Sequence, residues 1–357
     1  MVAARNRSVC RAICFVLLFL FLWFVLQYVL AYKWTDSAEM LHDRYRHFEA
    51  EPAGTIDVLY MGTSSMDGGV NPAIVYDEAG ITGYNFSTGC GSAFCAYYAL
   101  RYALLHQTPR LVVLDLSDIH QTRDPRQLTF NEITYRKSIE NMPDLRLRLE
   151  MLKDYQRLFG MGDMLEYFLP LLRYHSRWSE LTVRDFLPGA FSSPDYQPYL
   201  KGCEVLTTTE DQSDKPIISQ SDIIDGPSQI SLAYYSMILS LCRENSIEVM
   251  VTLAPQLKLD SAYLEHALAF CEENSLPILY YPDLESIHAI GIDEQSCYQN
   301  AAHLNMYGQW AYSRALAREM ASLYDLEDHR MDPAYASWDE AYDLYWQEYG
   351  GKISAHF

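Results

Sequence analysis

Basic residues are scarce in this chain of 357 residues, which has 27 lysines and arginines against 47 aspartates and glutamates and a net charge of −20. Because an acidic surface repels a phosphate backbone, nucleic acid is excluded as a partner. The eight cysteines include no CxxC pair and no Cys/His cluster with zinc spacing. They are therefore interpreted as small buried hydrophobes, with a disulfide left open, and no metal is predicted.

Long apolar runs are absent except at one place, residues 12–32, where Gln27 is the only strongly polar residue. This run is long enough to cross a bilayer as a helix. Three arginines precede it in residues 1–11, so this tail is predicted to be cytoplasmic and the rest of the chain extracytoplasmic. We therefore predict a single-pass protein of the cell membrane. The alternative is a signal peptide cleaved after Val29-Leu30-Ala31.

The chain after the apolar run alternates short apolar segments with helical patterns, and 49% of all residues are hydrophobic. Such alternation is typical of βαβ units with a parallel sheet and helices on both faces. The sequence predicts strands at 56–62, 83–88, 110–118, 247–255 and 276–282, and helices at 92–107, 231–246, 261–275 and 306–325. The predicted fold is α/β, a flavodoxin-like three-layer α/β/α domain over 55–325.

Three segments lie outside this alternation. Residues 33–54 are polar and are interpreted as a juxtamembrane stalk or first helix. Residues 119–228 are rich in arginine, tyrosine and helix formers, and they are interpreted as a mainly helical insertion that acts as a lid or substrate-binding cap. Residues 326–357 are acidic and aromatic. We expect a surface helix that packs Trp338, Tyr342 and Trp346 on the body, with an aromatic glycan-contact face as the alternative.

Serine and histidine occur at two positions that a parallel sheet would bring together. Ser64 follows the first predicted strand in the sequence GTSS, and His303 precedes the last predicted helix in the sequence NAAHLN. Both lie at the carboxyl edge of the sheet, where such folds bind ligands. Because a serine hydroxyl becomes a good nucleophile only when a base removes its proton, a neutral histidine would activate Ser64. Ser65 is the less favoured nucleophile.

These motifs resemble the SGNH, or GDSL-like, hydrolase superfamily. The nearest branch is the membrane-anchored bacterial proteins similar to the D-alanyl transfer protein of teichoic acid synthesis and to alginate O-acetyltransferases. The resemblance gives Ser64 the nucleophile position and His303 the base position. It implies that the backbone N–H groups of Ser64 and of Gly89 or Gly91 bind the oxyanion.

The sequence departs from that family at two places. Asn300 stands at the position of the triad aspartate, and an amide can orient an imidazole but cannot offset its positive charge. Asp293 or Glu294 could replace the missing carboxylate, or the site could work as a Ser-His dyad. The block that supplies an oxyanion asparagine is not found.

Three basic residues of the insertion, Arg173, His175 and Arg177, could compensate by binding substrate. The alternative is a salt-bridged structural patch. Gly89-Cys90-Gly91 lacks the third glycine of a dinucleotide loop. No cofactor is predicted, and the carboxylates at predicted strand ends, Asp67, Asp115 and Asp118, form no clean metal-ligand set.

The resemblance implies an extracytoplasmic serine esterase or O-acyltransferase. Its substrate would be acyl groups of a cell-surface polysaccharide, and its partner a membrane-bound acyltransferase. The alternative is a catalytically weak or inactive scaffold that binds a glycan or such an acyltransferase.

Overall fold

The first helix is the longest and most apolar element of the chain. A computed structural model describes residues 2–35, 40–89, 92–122, 125–160, 163–214, 223–257 and 261–357. Helix α1 spans Val2–Leu30. Within it Val9–Leu30 has a mean hydropathy of 2.7, and it is the one helix of the described ranges that is long and apolar enough to cross a membrane. An anchor and a signal sequence both satisfy this test.

The rest of the described chain alternates strands and helices. The strands are β1 Val58–Met61, β2 Gly83–Asn85, β3 Leu111–Asp115, β4 His120–Thr122, β5 Ile223–Pro227, β6 Glu248–Thr252, β7 Ile278–Leu279, β8 Tyr298–Asn300 and β9 His303–Leu304. The α-helices after α1 are α2 Leu41–Ala50, α3 Ser64–Asp67, α4 Pro72–Ala79, α5 Ala93–Ala103, α6 Pro125–Asn141, α7 Leu145–Phe159, α8 Met164–Phe168, α9 Pro170–Tyr174, α10 Gln229–Glu244, α11 Ser261–Asn274, α12 Leu284–Ala289, α13 Met306–Leu323, α14 Ala336–Tyr345 and α15 Gly351–His356.

Five strands form a parallel sheet in the order β2-β1-β3-β6-β7. Its central strands are buried runs of apolar residues, as expected for a sheet that is covered on both faces. Successive residues of β1 and β3 point to opposite faces, so Leu59 and Val112 belong to one core cluster and Val58 and Leu111 to the other. The first core includes residues of α5, α10 and α11, and the second includes residues of α4, α12 and α13.

The α/β class and the parallel sheet predicted from the sequence are confirmed, and each of the five predicted strands is present. The strands are shorter than predicted at the edges of the sheet. Residues 276–282 give only Ile278–Leu279, and 83–88 give only Gly83–Asn85. An edge strand has one neighbour to pair with: β7 pairs only with Val251 and Thr252 of β6, and β2 pairs with Val58–Tyr60 of β1.

The insertion leaves and rejoins the domain at a narrow neck. β4 and β5 pair antiparallel, and the backbone N–H of Ser228 donates to the carbonyl of Ile119 at 2.8 Å. The segment after α13 returns to the body, where Trp338 is buried with the ammonium of Lys201 4.4 Å from its ring centroid. Trp346, by contrast, is 36% exposed. The prediction of packing on the body is therefore confirmed for Trp338 and not for Trp346.

Candidate active site

A sharp turn at the end of β1 carries Ser64 out of the sheet. Gly62 lies against β3, because a Cβ atom at this position would stand 2.5 Å from the Cβ of Asp115. Ser64 is then the first residue of the short helix α3. At that position a backbone N–H has no partner within its own helix, so it is free to bind another acceptor.

The two residues that flank Ser64 both bond to Asp115, which is buried at the end of β3. Its Oδ2 accepts hydrogen bonds from the hydroxyl groups of Thr63 at 3.0 Å and Ser65 at 3.1 Å. Its Oδ1 accepts the N–H of Ser117 at 3.0 Å. Ser65 therefore points into the sheet edge and is buried. The geometry separates the two adjacent serines, because Ser64 alone is directed at the histidine.

His303 is brought to Ser64 by a small hairpin of β8 and β9. Asn305, two residues further on, caps α13 by accepting the N–H groups of Tyr307 at 3.0 Å and Gly308 at 3.3 Å. This cap fixes where the hairpin ends and the helix begins. His303 Nε2 lies 2.7 Å from the Oγ of Ser64, across 239 residues of sequence.

Asn300 orients the imidazole from the other side. Its Oδ1 lies 2.9 Å from His303 Nδ1 and also accepts the backbone N–H of Ala302 at 3.0 Å. Because that backbone group only donates, the amide must present its oxygen, and the oxygen in turn requires a proton on Nδ1. Nε2 is then unprotonated and accepts the proton of Ser64. Asn300 thus selects the tautomer that a general base needs.

His303 has no charged partner that would stabilise its protonated form. Burial lowers its pKa from the usual 6.5, and no charged group of the described chain contributes to the shift. A lowered pKa keeps the ring neutral at pH 7, which suits a general base. The same environment penalises the imidazolium that forms once the serine proton has moved.

Comparison of the chain with models of known protein families gives no match, and neither does comparison with curated proteins. The case for chemistry at this site therefore rests on its geometry.

The second block predicted from the sequence lies beside the turn. The N–H of Thr88 donates to the carbonyl of Gly62 at 3.2 Å, so the chain after β2 runs along the residues that precede Ser64. Gly89 follows directly, and its carbonyl accepts the hydroxyl of Thr134 at 3.3 Å. Gly91 lies outside the described residues. The oxyanion roles of Ser64, Gly89 and Gly91 stay predictions.

The two carboxylates considered as replacements for the triad acid are bound elsewhere. Asp293 accepts the N–H groups of Gln295 and Ser296, each at 2.9 Å. Glu294 pairs with His288 at 2.7 Å. The hypothesis that either carboxylate supports His303 is wrong in this structure, because Asn300 fills that position.

The three basic residues of the insertion lie beside the end of α1. Arg177 donates to the carbonyls of Leu30 and Ala31, and Arg173 stands 3.8 Å from Glu166. His175 Nδ1 lies 3.0 Å from the carbonyl of Leu172. These contacts agree with the alternative of a structural patch, and a substrate-binding role for the three residues stays a prediction.

A segment of the insertion that the sequence did not single out ties the two halves of the site together. We call residues 203–212 the strap. The N–H of Glu204 donates to the carbonyl of Asp67 at 3.2 Å, at the end of the Ser64 helix. Farther along, the N–H of Glu210 donates to Tyr298 at 3.0 Å, and the carbonyl of Leu206 accepts the N–H of Met306 at 2.7 Å. The strap thus holds α3 against the His303 hairpin. The side chain of Thr209 adds a contact, since its Oγ1 accepts from Asn305 Nδ2 at 2.9 Å. The three backbone bonds carry no sequence signal, so no local motif could have revealed them.

Arg44 of α2 supports the Ser64 helix from within the protein. It forms a buried pair with Asp67 at 3.0 Å and donates to the carbonyl of Ser87. A spacing rule could not reveal this pair, which joins residues 23 positions apart.

One group of described side chains could hold a metal ion. The ligand atoms of Asp293, Cys297 and His356 lie within 4.8 Å of one another. They already have hydrogen-bond partners, since Ser296 Oγ lies 2.5 Å from Asp293 and 3.3 Å from His356.

Asp118, one of the three carboxylates noted at predicted strand ends, accepts hydrogen bonds from the N–H of Ala93 and the hydroxyl of Ser231. Burial raises the pKa of Asp118 to about 6.

Proposed function

We propose that the chain is an extracytoplasmic serine esterase or O-acyltransferase of the SGNH-like type, with Ser64 as nucleophile and His303 as general base. The observation that carries the proposal is the hydrogen-bonded relay from Ser64 through His303 to Asn300. Its two distances are 2.7 and 2.9 Å. Both fall in the range that proton transfer and ring orientation require.

The reaction would proceed in two half-reactions. Ser64 Oγ attacks the carbonyl carbon of an ester or thioester while its proton passes to His303 Nε2, and the carbonyl oxygen becomes an oxyanion. The N–H groups of Ser64 and Gly89 are the proposed oxyanion donors, an effect worth about 3–4 kcal/mol per donor in known hydrolases. Collapse expels the leaving group, which takes the proton from His303. A hydroxyl of water or of a sugar then gives its proton to His303 and attacks the acyl carbon. The bond from that carbon to Ser64 Oγ breaks as His303 returns the proton to Oγ, which releases the acid or the acylated sugar and regenerates the site.

The fold supports this assignment. When only the five strands of this sheet are counted along the chain, their spatial order is 2-1-3-4-5. This is the order of flavodoxin-like, doubly wound domains. Helices contribute to a core on each face of the sheet, which favours a three-layer arrangement. In such domains ligands bind at the carboxyl ends of the strands. Ser64 directly follows the turn at the end of β1.

We further propose that α1 is an uncleaved anchor with its amino terminus in the cytoplasm, because Arg5 and Arg7 precede the apolar span Val9–Leu30 and Arg11 lies in its first turn. An anchored domain meets substrates made at the membrane surface. A cell-surface polysaccharide is therefore the proposed acyl acceptor, and a membrane-bound acyltransferase is a proposed partner that would supply acyl groups.

One observation favours a second function. Asn300 leaves His303 without a counter-charge, so the chain could be a weak or inactive scaffold that binds a glycan or an acyltransferase. The relay argues against this alternative, because a site that no longer acts has no need of an amide that selects one tautomer of His303.

The test is hydrolysis of p-nitrophenyl acetate by the full chain in detergent. We expect turnover that is lost in Ser64→Ala and in His303→Ala and largely retained in Ser65→Ala, with all variants folded by circular dichroism. Ser65→Ala is the matched control, because it removes an adjacent hydroxyl that faces Asp115. Equal turnover in all variants would contradict the proposal.

A further inference from the structure

Large apolar side chains are exposed to an unusual extent in one part of the insertion. We call residues 170–191 the collar. Within 16 consecutive positions it exposes five large apolar residues: Leu172 42%, Trp178 57%, Val183 78%, Phe186 60% and Leu187 51%. Scattered apolar residues are ordinary on a protein surface, but several in one compact segment mark a surface that another phase or molecule covers.

The collar is fixed to the end of the apolar helix α1. The hydroxyl of Tyr28 donates to the carbonyl of Leu187 at 2.6 Å, and Gln27 Oε1 accepts the N–H of Leu171 at 2.8 Å. Arg177 donates to Leu30 at 3.0 Å. These bonds reach the helix both at its last residue and within its final turn.

The contacts set the depth of the collar relative to a bilayer. Gln27 and Tyr28 belong to the apolar span that ends at Leu30. With a rise of ~1.5 Å per residue, Gln27 lies about 4–5 Å inside the end of that span. The parts of the collar bonded to it must therefore lie at the level where the acyl chains meet the headgroups. The same contact gives Gln27, the one strongly polar residue of the run 12–32, a backbone partner.

The composition of the collar fits that level. Tryptophan and other aromatic residues are favoured at membrane interfaces, where one end of the side chain is apolar and the other is wet. The collar holds Arg173, Arg177 and Arg184 against Glu180 and Asp185, a formal charge of +3 − 2 = +1 in a chain of −20. The collar is therefore not repelled by lipid phosphates as the rest of the acidic surface would be.

We propose that the collar is seated in the interface of the bilayer at the carboxyl end of α1, with Trp178, Val183 and Phe186 in contact with lipid. The partner is the lipid surface itself. This assigns a role to part of the insertion that differs from a lid over Ser64.

The collar also bears on where Ser64 acts, a consequence that rests on the proposed function. Just beyond the collar, the N–H of Ser193 donates to Asp43 at 2.6 Å, and the neighbouring Arg44 pairs with Asp67 in the Ser64 helix. Few contacts separate the bilayer from the site. The acyl donor or acceptor is therefore one held at the membrane surface, such as a lipid-linked molecule.

The test is photo-crosslinking of the full chain in nanodiscs of phosphatidylethanolamine and phosphatidylglycerol. Benzoyl-phenylalanine replaces Val183 or Phe186 and, as matched controls, the exposed apolar residues Met331 and Leu323, which are 94% and 50% exposed. Because all four side chains are exposed, the substitutions leave the fold intact. We expect phospholipid adducts at positions 183 and 186 and none at positions 331 and 323. The adducts are detected by mass spectrometry of peptides.

Two results would overturn the proposal. One is the absence of lipid adducts at 183 and 186, or equal adducts at Met331. The other, obtained in native membranes, is crosslinking of both collar positions to a protein and not to lipid, which would assign the surface to a membrane protein partner. Neither result depends on hydrolysis of any ester, so failure here is distinguishable from failure of the proposed acyl-transfer activity.

Discussion

Replacing Asn300 by aspartate should increase turnover, because it restores the one element that the Ser64 relay lacks. The amide oxygen of Asn300 already accepts from His303 Nδ1 at 2.9 Å and from Ala302 at 3.0 Å. A carboxylate can accept both bonds in the same place. The orientation and the tautomer of His303 are therefore unchanged, and the variant adds charge alone.

The size of the effect follows from the distance. A carboxylate about 4 Å from the centre of the imidazolium charge contributes about 4 kcal/mol at an effective dielectric constant of 20. At about 1.4 kcal/mol per tenfold change, this sets an upper limit near 10³ in turnover. The cost of keeping a carboxylate half-buried reduces the gain, so we expect about 10- to 10³-fold. The reverse exchange in serine proteases costs about 10⁴, and there the tautomer is lost as well.

The assay is the pH dependence of p-nitrophenyl ester hydrolysis by wild type, Asn300→Asp and Asn300→Ala. A carboxylate raises the pKa of His303, so the acid limb of Asn300→Asp should move to higher pH by about one to three units. Asn300→Ala removes the orienting acceptor and should fall below wild type. Slower turnover in a folded Asn300→Asp variant, or an acid limb that does not move, would refute the reasoning.

Three further predictions concern the same site. Because burial lowers the pKa of His303, the acid limb of wild-type kcat/KM should lie below pH 6.5, and a midpoint above that value would contradict a base without a counter-charge. Asp115→Asn replaces one of two acceptor oxygens by an NH2 group, so either Ser117 or the hydroxyls of Thr63 and Ser65 lose their acceptor. Urea unfolding should therefore show a loss of about 1–3 kcal/mol, and kcat should fall. Unchanged kcat would show that Asp115 does not position Ser64. Arg44→Met removes the guanidinium that offsets the buried charge of Asp67 and should cost about 3–5 kcal/mol of unfolding free energy, whereas the double variant with Asp67→Asn should recover part of it. A single variant as stable as wild type would remove Arg44 from the account of the site.

The sequence allowed the α/β class, the order of the main elements and the apolar span to be predicted. Apolar runs such as residues 110–118 identify buried strands, and the alternation with helices implies a parallel sheet. Ser64 and His303 were identified because both occupy the carboxyl edge of that sheet. What the pattern could not give was the length of the edge strands, because an apolar run does not record how many of its residues pair with the one neighbouring strand.

The contacts that hold the site in place could not be predicted either, and the reason is different. The bond between Asp115 and Ser65 depends on the close approach of β1 and β3 at Gly62. The strap acts largely through backbone groups, which carry no sequence signal. The insertion was expected to cover the site as a lid. Among the described residues of the insertion, the collar contacts the end of α1, and the strap reaches the Ser64 helix and the His303 hairpin. Chain segments of similar composition can do either, because tertiary contacts decide where they lie.

The central claim is that His303 makes Ser64 a nucleophile, and covalent labelling tests it most directly. The full chain would be treated with a fluorophosphonate, which traps activated serines, and the modified residue identified by peptide mass spectrometry. The account predicts one adduct at Ser64, lost in His303→Ala and retained in Ser65→Ala. An adduct at Ser65, labelling that persists without His303, or no labelling of the folded protein would contradict it.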